Sequence, residues 1–378
     1  MKKAADPYGE RKYSEMPYTE EKIYHLKDYV EYVSELGNRL KIEAKTPPVL
    51  WFRGQQKQSY QLRPSLVREM YGKAPQSSEE MPIQEEMRYQ HYLAKNYHFL
   101  DKNPETQLDW MGLMQHHSVK TRLLDWSESM FHPLIFALEC FFDREKYKTY
   151  DRIYSSPHVW VFEPIEWNRK AIENILQSDK IINECIKSII FTGRSYRHVR
   201  KKFYKKMRNL KTDIPSRLQT KKTRHLEGIF NLSTIEKRIE NLGHEELLSL
   251  LANGEEFECL FYVLYQVYLT SKKWELDKVM PLAVVESYHS ERIRAQRGAF
   301  TIFPYYKDEK KMKRLRNVDI FLDAMENMGK GNQFLHKIRI CNQEEIAFEV
   351  MNAGMNSSWL YPEMPVVANT IENRDFNF

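Results

Sequence analysis

"MQHHSVKTRLLDWS", residues 114–127, sets two adjacent histidines, two basic residues, a threonine and an aspartate among Leu123, Leu124 and Trp126. A solvated loop would not carry that apolar run, and an ordinary core strand would not carry Arg122 and Asp125. The run "VKTRLLDWS" therefore reads as a strand whose apolar side chains face a core while its polar groups sit at the mouth of a cleft.

Working outward, "PPVLWFRG" (47–54) reads as a strand with proline at its start and glycine at its exit. "HVWVFEP" (158–164) is apolar on both faces, as a central strand is, and "MPLAVVESY" (280–288) and "GAFTIFPYY" (298–306) read as further strands. Ile23, Leu26, Val30, Val33 and Leu36 fall on one helical stripe, which predicts a helix capped by Thr19 and ending near Gly37. Helices are also expected over 79–100, over 108–114, and over 130–142 with Ser127 or Ser129 as cap and Pro133 in its first turn. A late helix covers 343–355, and "EFECLFYVLYQVYL" (256–269) reads as a buried one. The expected class is α+β, a mixed or antiparallel sheet core with a helical charged insertion.

Bulk properties narrow the function. The 378 residues include 42% apolar and 13% aromatic side chains, with only 13 glycines, so a folded body is expected rather than a disordered chain or a Gly-rich nucleotide loop. Cys140, Cys185, Cys259 and Cys341 are far apart, which argues against a disulfide framework or zinc site. No metal is expected. The N-terminal stretch has no apolar signal-peptide core, and no apolar run reaches the ~20 residues that span a bilayer. A cytoplasmic protein without a membrane partner is the expectation. The net charge of +6 is concentrated: Arg194–Arg224 holds 13 Lys or Arg against one acidic residue, Asp213. The chain divides accordingly into a flexible lead-in (1–18), a first part (19–165), a helical basic insertion (166–278), a second part (279–370) and a tail (371–378).

Three segments carry candidate chemistry. In "WFRGQQ", Arg53 leaves a strand end where its planar fork can grip a phosphate or carboxylate bidentately, with Gln55 beside it; an ion pair tying two strands together is the competing reading. In the opening stretch, His116 and His117 suit acid, base or ligand contacts, and Asp125 suits orienting an arginine. Thr121 and Ser127 are more often caps than nucleophiles. "ERIRAQRGAFTIF" delivers Glu291 and Gln296 just before another strand. Polar groups converging from several strand ends are a common way to build a site.

Together, "WFRGQQKQSYQLRPSLVR", "LDWMGLMQHHSVKTRLLDWSESMFHPLIFA" and "ERIRAQRGAFTIF" resemble the FRG domain, named after its Phe-Arg-Gly motif, and "KIRICNQEEIAFEVMNAGMNSSWLYPEM" resembles its tail. Ser129-Met130 stands where family members often have Asn-Pro, and "HHS" where they often have His-Tyr-Gly. The resemblance implies a protein of prokaryotic or phage conflict, a toxin or anti-phage defence effector with a cognate antitoxin or defence partner. At fold level it is also similar to ADP-ribosyltransferases. That similarity implies NAD as cofactor and a protein or nucleic-acid acceptor. Arg53, Asp125, Glu291 and Gln296 would then be catalytic. Arg53, Gln55, His116, His117, Thr121, Arg122 and Ser127 would bind cofactor. The alternative is a non-catalytic ligand- or nucleic-acid-binding module that uses Arg200, Lys201, Lys202, Lys205 and Lys206 on phosphates, with interleaved aromatics to stack bases.

Overall fold

A computed structural model describes residues 18–44, 49–66, 68, 80–96, 107–142, 156–168, 171, 280–285, 291–303, 334–361 and 363–368. Seven strands form one sheet: β1 (Thr19–Ile23), β2 (Trp51–Gln55), β3 (Leu123–Ser127), β4 (His158–Phe162), β5 (Leu282–Val284), β6 (Gly298–Ile302) and β7 (Leu335–Ile340), in the order β1-β7-β4-β2-β3-β6-β5. β1 runs parallel to β7 and every other pair is antiparallel, so the sheet is mixed. The helices are α1 (Leu26–Ala44), α2 (Glu80–Asn96), α3 (Gln107–His116), α4 (Phe131–Ala137), α5 (Glu291–Ala295), α6 (Gln343–Asn352) and α7 (Ser357–Leu360).

Alternation along each strand sorts the core into two layers. Phe52, Val159, Val161, Ile338 and Ile340 face one side and pack with Tyr29, Val33 and Leu36 of α1, Leu134 and Ile135 of α4, and Ile346 and Val350 of α6. Trp51, Trp126, Trp160 and Phe162 face the other. There Trp126 stacks on Phe162 with ring centroids 4.9 Å apart, and Phe162 meets Trp51 at 6.1 Å and Trp167 at 5.6 Å. The indole Nε1 of Trp126 donates to Thr301 Oγ1 of β6 (3.1 Å), so the ring is buried with its polar atom satisfied.

The structure departs from the sequence expectation in three places. Thr19–Ile23 is a strand rather than a helix start; Ile23 still faces the core, because an apolar residue at its end serves either period. The helix begins at Leu26, and the Asp28 carboxylate accepts from the backbone amides of Tyr24 and His25 at that end. It runs through Gly37 to Ala44, since one glycine in a long amphipathic helix costs only ~1 kcal/mol. The predicted 130–142 helix breaks into α4 and a 3₁₀ turn at Glu139–Phe142, and its N-cap, Met130, has no side-chain cap bond. Ser129 Oγ instead accepts from the Phe131 amide at 3.4 Å, outside the cap position. β7 is an element the sequence reading did not separate from its flanks.

Trp167 and Asn168, at the start of the expected insertion, pack on the sheet. Trp167 Nε1 donates to Pro281 O (2.6 Å), and Asn168 pairs with both backbone groups of Ala283 in β5 (2.9 and 2.8 Å). The buried helix expected at 256–269 lies outside the described residues.

Candidate functional site

The sheet is weakest where the site lies. β2 and β3, its two central strands, share a single described backbone bridge, Phe52↔Ser127. β2 pairs with β4 along all five of its residues, and β3 with β6 along all five of its own. The opening between them leaves main-chain groups without ladder partners, and Arg53 fills part of it. Its Nη1 donates to the Asp125 carbonyl (2.6 Å) and lies 3.7 Å from the Asp125 carboxylate, while its Nε is enclosed with no hydrogen-bond partner among the described residues. The Arg53 side chain is 16% exposed and that of Asp125 is 56% exposed, so the pair sits at a mouth. Burial pushes the Arg53 guanidinium below its ordinary proton affinity; Asp125 offsets part of that and nearby Arg68 adds to it.

Gly54, the last residue of the Phe-Arg-Gly run, is required by close approach. A Cβ there would lie 1.9 Å from Pro133 O and 2.9 Å from the Ala137 amide nitrogen, so only glycine lets α4 lie this close to β2.

α3 carries the other wall. Gln115 Nε2 donates to Asp125 Oδ1 (2.5 Å), and the Gln115 carbonyl accepts from the Thr121 hydroxyl. His116 follows at the end of the helix. Its Nδ1 is enclosed without a described partner, and burial, followed by Arg292 and His117, pushes its pKa down to about 4, with Glu363 pulling the other way. The ring is therefore neutral at pH 7. His117 is exposed, its ring edge-on to His116 at 4.6 Å.

A C-terminal segment forms a further polar cluster with α5. Arg292 Nε donates to Glu363 Oε1 (2.6 Å), and its guanidinium lies 5.0 Å from the centre of the Tyr361 ring. Glu363 Oε2 is enclosed with no described partner. Burial pushes the Tyr361 phenol up to about 12, with Glu139 the largest charge contribution and Glu363 and Asp125 adding to it, so it remains protonated.

The candidate residues thus separate. Arg53 and Asp125 come together at the opening, and His116 follows Gln115, whose side chain holds Asp125. Gln55 is enclosed on the aromatic face, where its carbonyl accepts from Trp160 Nε1 (2.9 Å) and lies 3.0 Å from His158 Nε2. Thr121 is fully buried, its hydroxyl also accepting from the Leu123 amide (3.2 Å). Arg122 is 2% exposed and ion-paired to Glu85 at 2.9 Å, which leaves it no access to a ligand. Ser127 Oγ donates to Gln296 O (2.6 Å). Gln296 Nε2 donates to Leu360 O (2.9 Å), tying α7 in place. Gln55, Thr121, Arg122, Ser127 and Gln296 thus each have partners within the fold. Glu291 opens α5, and nothing is described of its side chain; Arg200, Lys201, Lys202, Lys205 and Lys206 lie outside the described residues. Sequence reasoning missed Gln115, Tyr361 and Glu363. "WLYPEM" in the family-like tail was the available signal for the last two.

Among the described residues no helix is long and apolar enough to cross a membrane, and no group of three His, Cys, Asp or Glu is placed to hold a metal. No curated protein and no solved structure matches the chain. The family model of the FRG domain matches residues 49–146, a span that includes β2, α3, β3 and α4 and so holds Arg53, Gly54, His116 and Asp125. By that match, residues 49–146 of the chain carry an FRG domain.

Proposed function

We propose that the opening between β2 and β3 binds NAD and that the chain transfers ADP-ribose from it to a macromolecular acceptor, as a toxin or anti-phage defence effector. One observation carries this reading: an arginine sits at an interruption in the sheet centre with a buried N–H that has no partner among the described residues. An enclosed, unsatisfied donor on a cation costs free energy, and an anionic ligand relieves that cost.

Bound NAD would supply a ribose whose bond to nicotinamide is exchanged for a bond to the acceptor nucleophile. The chain's own groups suit the surrounding tasks. The Arg53 fork would hold a phosphate, and Asp125 fixes that fork from its carbonyl. Neutral His116 offers Nδ1 to the proton that leaves the acceptor nucleophile, and protonated Tyr361 can donate a hydrogen bond.

The test incubates purified protein with labelled NAD and whole-cell extract. Wild type should transfer label, and Arg53→Ala should lose at least about tenfold, the worth of a charge-assisted hydrogen bond, while melting close to wild type. NAD left intact by the wild type in extract would sink the proposal.

A further inference from the structure

At the β1 edge of the sheet, three polar side chains touch in series, away from the opening. Thr19 of β1 and His336 of β7 are register partners in the parallel pair, and their side chains share a face. Val161 of β4 stands opposite His336, so Glu163, two residues on, returns to that face. The Glu163 amide donates to Phe334 O (3.0 Å), which fixes the root of its side chain beside His336. Thr19 Oγ1 lies 2.7 Å from His336 Nδ1, and His336 Nε2 lies 3.0 Å from Glu163 Oε1.

Hydrogen counting orders the three. A carboxylate only accepts, so the ring hydrogen belongs on Nε2, and Nδ1 is left to accept from the Thr19 hydroxyl. The His336 and Glu163 side chains are 3% and 11% exposed, whereas Thr19 is half-buried on the last strand of the described sheet. The base and its carboxylate are therefore shielded from water, and the hydroxyl stands at the outer end. Ile23 O accepts from Cys341 N, so Thr19, Glu21 and Ile23 turn their main-chain groups to β7 and the intervening residues turn theirs away. The Glu20 amide, next to Thr19, is thus a main-chain donor directed at the edge, the kind of group that holds an oxyanion.

We propose that Thr19 is an activated nucleophile that takes acyl groups from esters, with His336 as its general base and Glu163 as the positioning carboxylate. As Thr19 Oγ1 bonds to the acyl carbon, its proton passes to His336 Nδ1, and Glu163 stabilises the imidazolium that forms. The ester C–O bond breaks, and the leaving alkoxide takes that proton. Water then attacks the acyl-threonine, its proton passing through Nδ1 to Oγ1, which frees the carboxylic acid and restores the hydroxyl. This site is independent of the nucleotide reading above.

A fluorophosphonate probe, whose phosphorus stands in for the acyl carbon and whose fluoride leaves, tests this on the full chain. Peptide mass spectrometry should find the probe on Thr19. Thr19→Val, which keeps the shape, should abolish that label, and Thr19→Ser should restore it at the same position. His336→Gln should slow labelling at least about a hundredfold, the worth of a general base. Glu163→Gln should slow it about tenfold or more and move the His336 Nε2 proton resonance upfield, while melting close to wild type. A wild-type Thr19 that stays unlabelled, or labelling as fast in His336→Gln, overturns the proposal and makes the three residues a strut between strands. Should His336→Gln or Glu163→Gln fail to fold, the Thr19→Val and Thr19→Ser pair decides.

Discussion

At the scale of single residues, Arg53 and Gly54 are neighbours with opposite duties. Arg53 is held at a mouth with an N–H that has no partner among the described residues, and Gly54 is where α4 meets the sheet. The glycine should be the less replaceable for folding. Gly54→Ala places a methyl 1.9 Å from Pro133 O, a clash that backbone must absorb, and overpacking of this kind costs ~3 kcal/mol or more. Gly354 is the contrast: its φ of +80° strains an alanine, but nothing lies within 4 Å. Gly354→Ala should cost only ~1 kcal/mol. Urea unfolding of both variants compares a steric with a conformational requirement for glycine.

At the scale of elements, β3 is joined to α2 by charge. Arg122, just before β3, is 2% exposed against Glu85, 6% exposed; its amide donates to Glu85 Oε1 (3.1 Å) and its Nη1 donates to Phe303 O (3.4 Å). A buried pair of this kind specifies position more than it stabilises, because desolvation offsets most of the attraction. Arg122→Met should therefore cost ~3–5 kcal/mol by stranding the Glu85 carboxylate, whereas Arg122→Met with Glu85→Leu should recover most of the loss. Thermal melts of the single and double variants check the non-additivity. Arg122 and Asp125 are three residues apart in one strand segment, and only burial separates the fold-forming charge from the one at the mouth.

For the whole molecule, the pH dependence of stability follows from histidines kept neutral. Burial is the main cause that lowers both His116, to about 4, and His132. Unfolded, each binds a proton near pH 6.5. Between that value and the folded one, the unfolded chain holds more protons, so stability rises with pH there. The contribution is complete above about pH 6.5 and is lost as pH falls toward 4. Unfolding free energies measured from pH 7.5 to 4.5 should fall below pH 6.5, and His116→Gln should flatten that decline. An unchanged slope in the variant would show that its ring is solvated in the folded state.

Sequence by itself determined the α+β class and most of the strands. β2, β3, β4 and β6 are marked by apolar runs between turn residues, and that pattern needs no partner to be read. The Phe-Arg-Gly stretch was likewise legible as a residue grouping. Tertiary structure alone decided the rest. Thr19–Ile23 becomes a strand because β7 offers it a parallel edge, a pairing that joins opposite ends of the chain. Arg53 and Arg122 look alike in sequence, since each is a cation in an apolar strand segment; the single bridge between β2 and β3 exposes one, and α2 encloses the other. Glu363 and Tyr361 meet Arg292, about seventy positions earlier in the chain, only because α5 and α7 hold the C-terminal segment in place. Local periodicity reports which face of an element is apolar. Which polar atoms remain unsatisfied is fixed by residues hundreds of positions away.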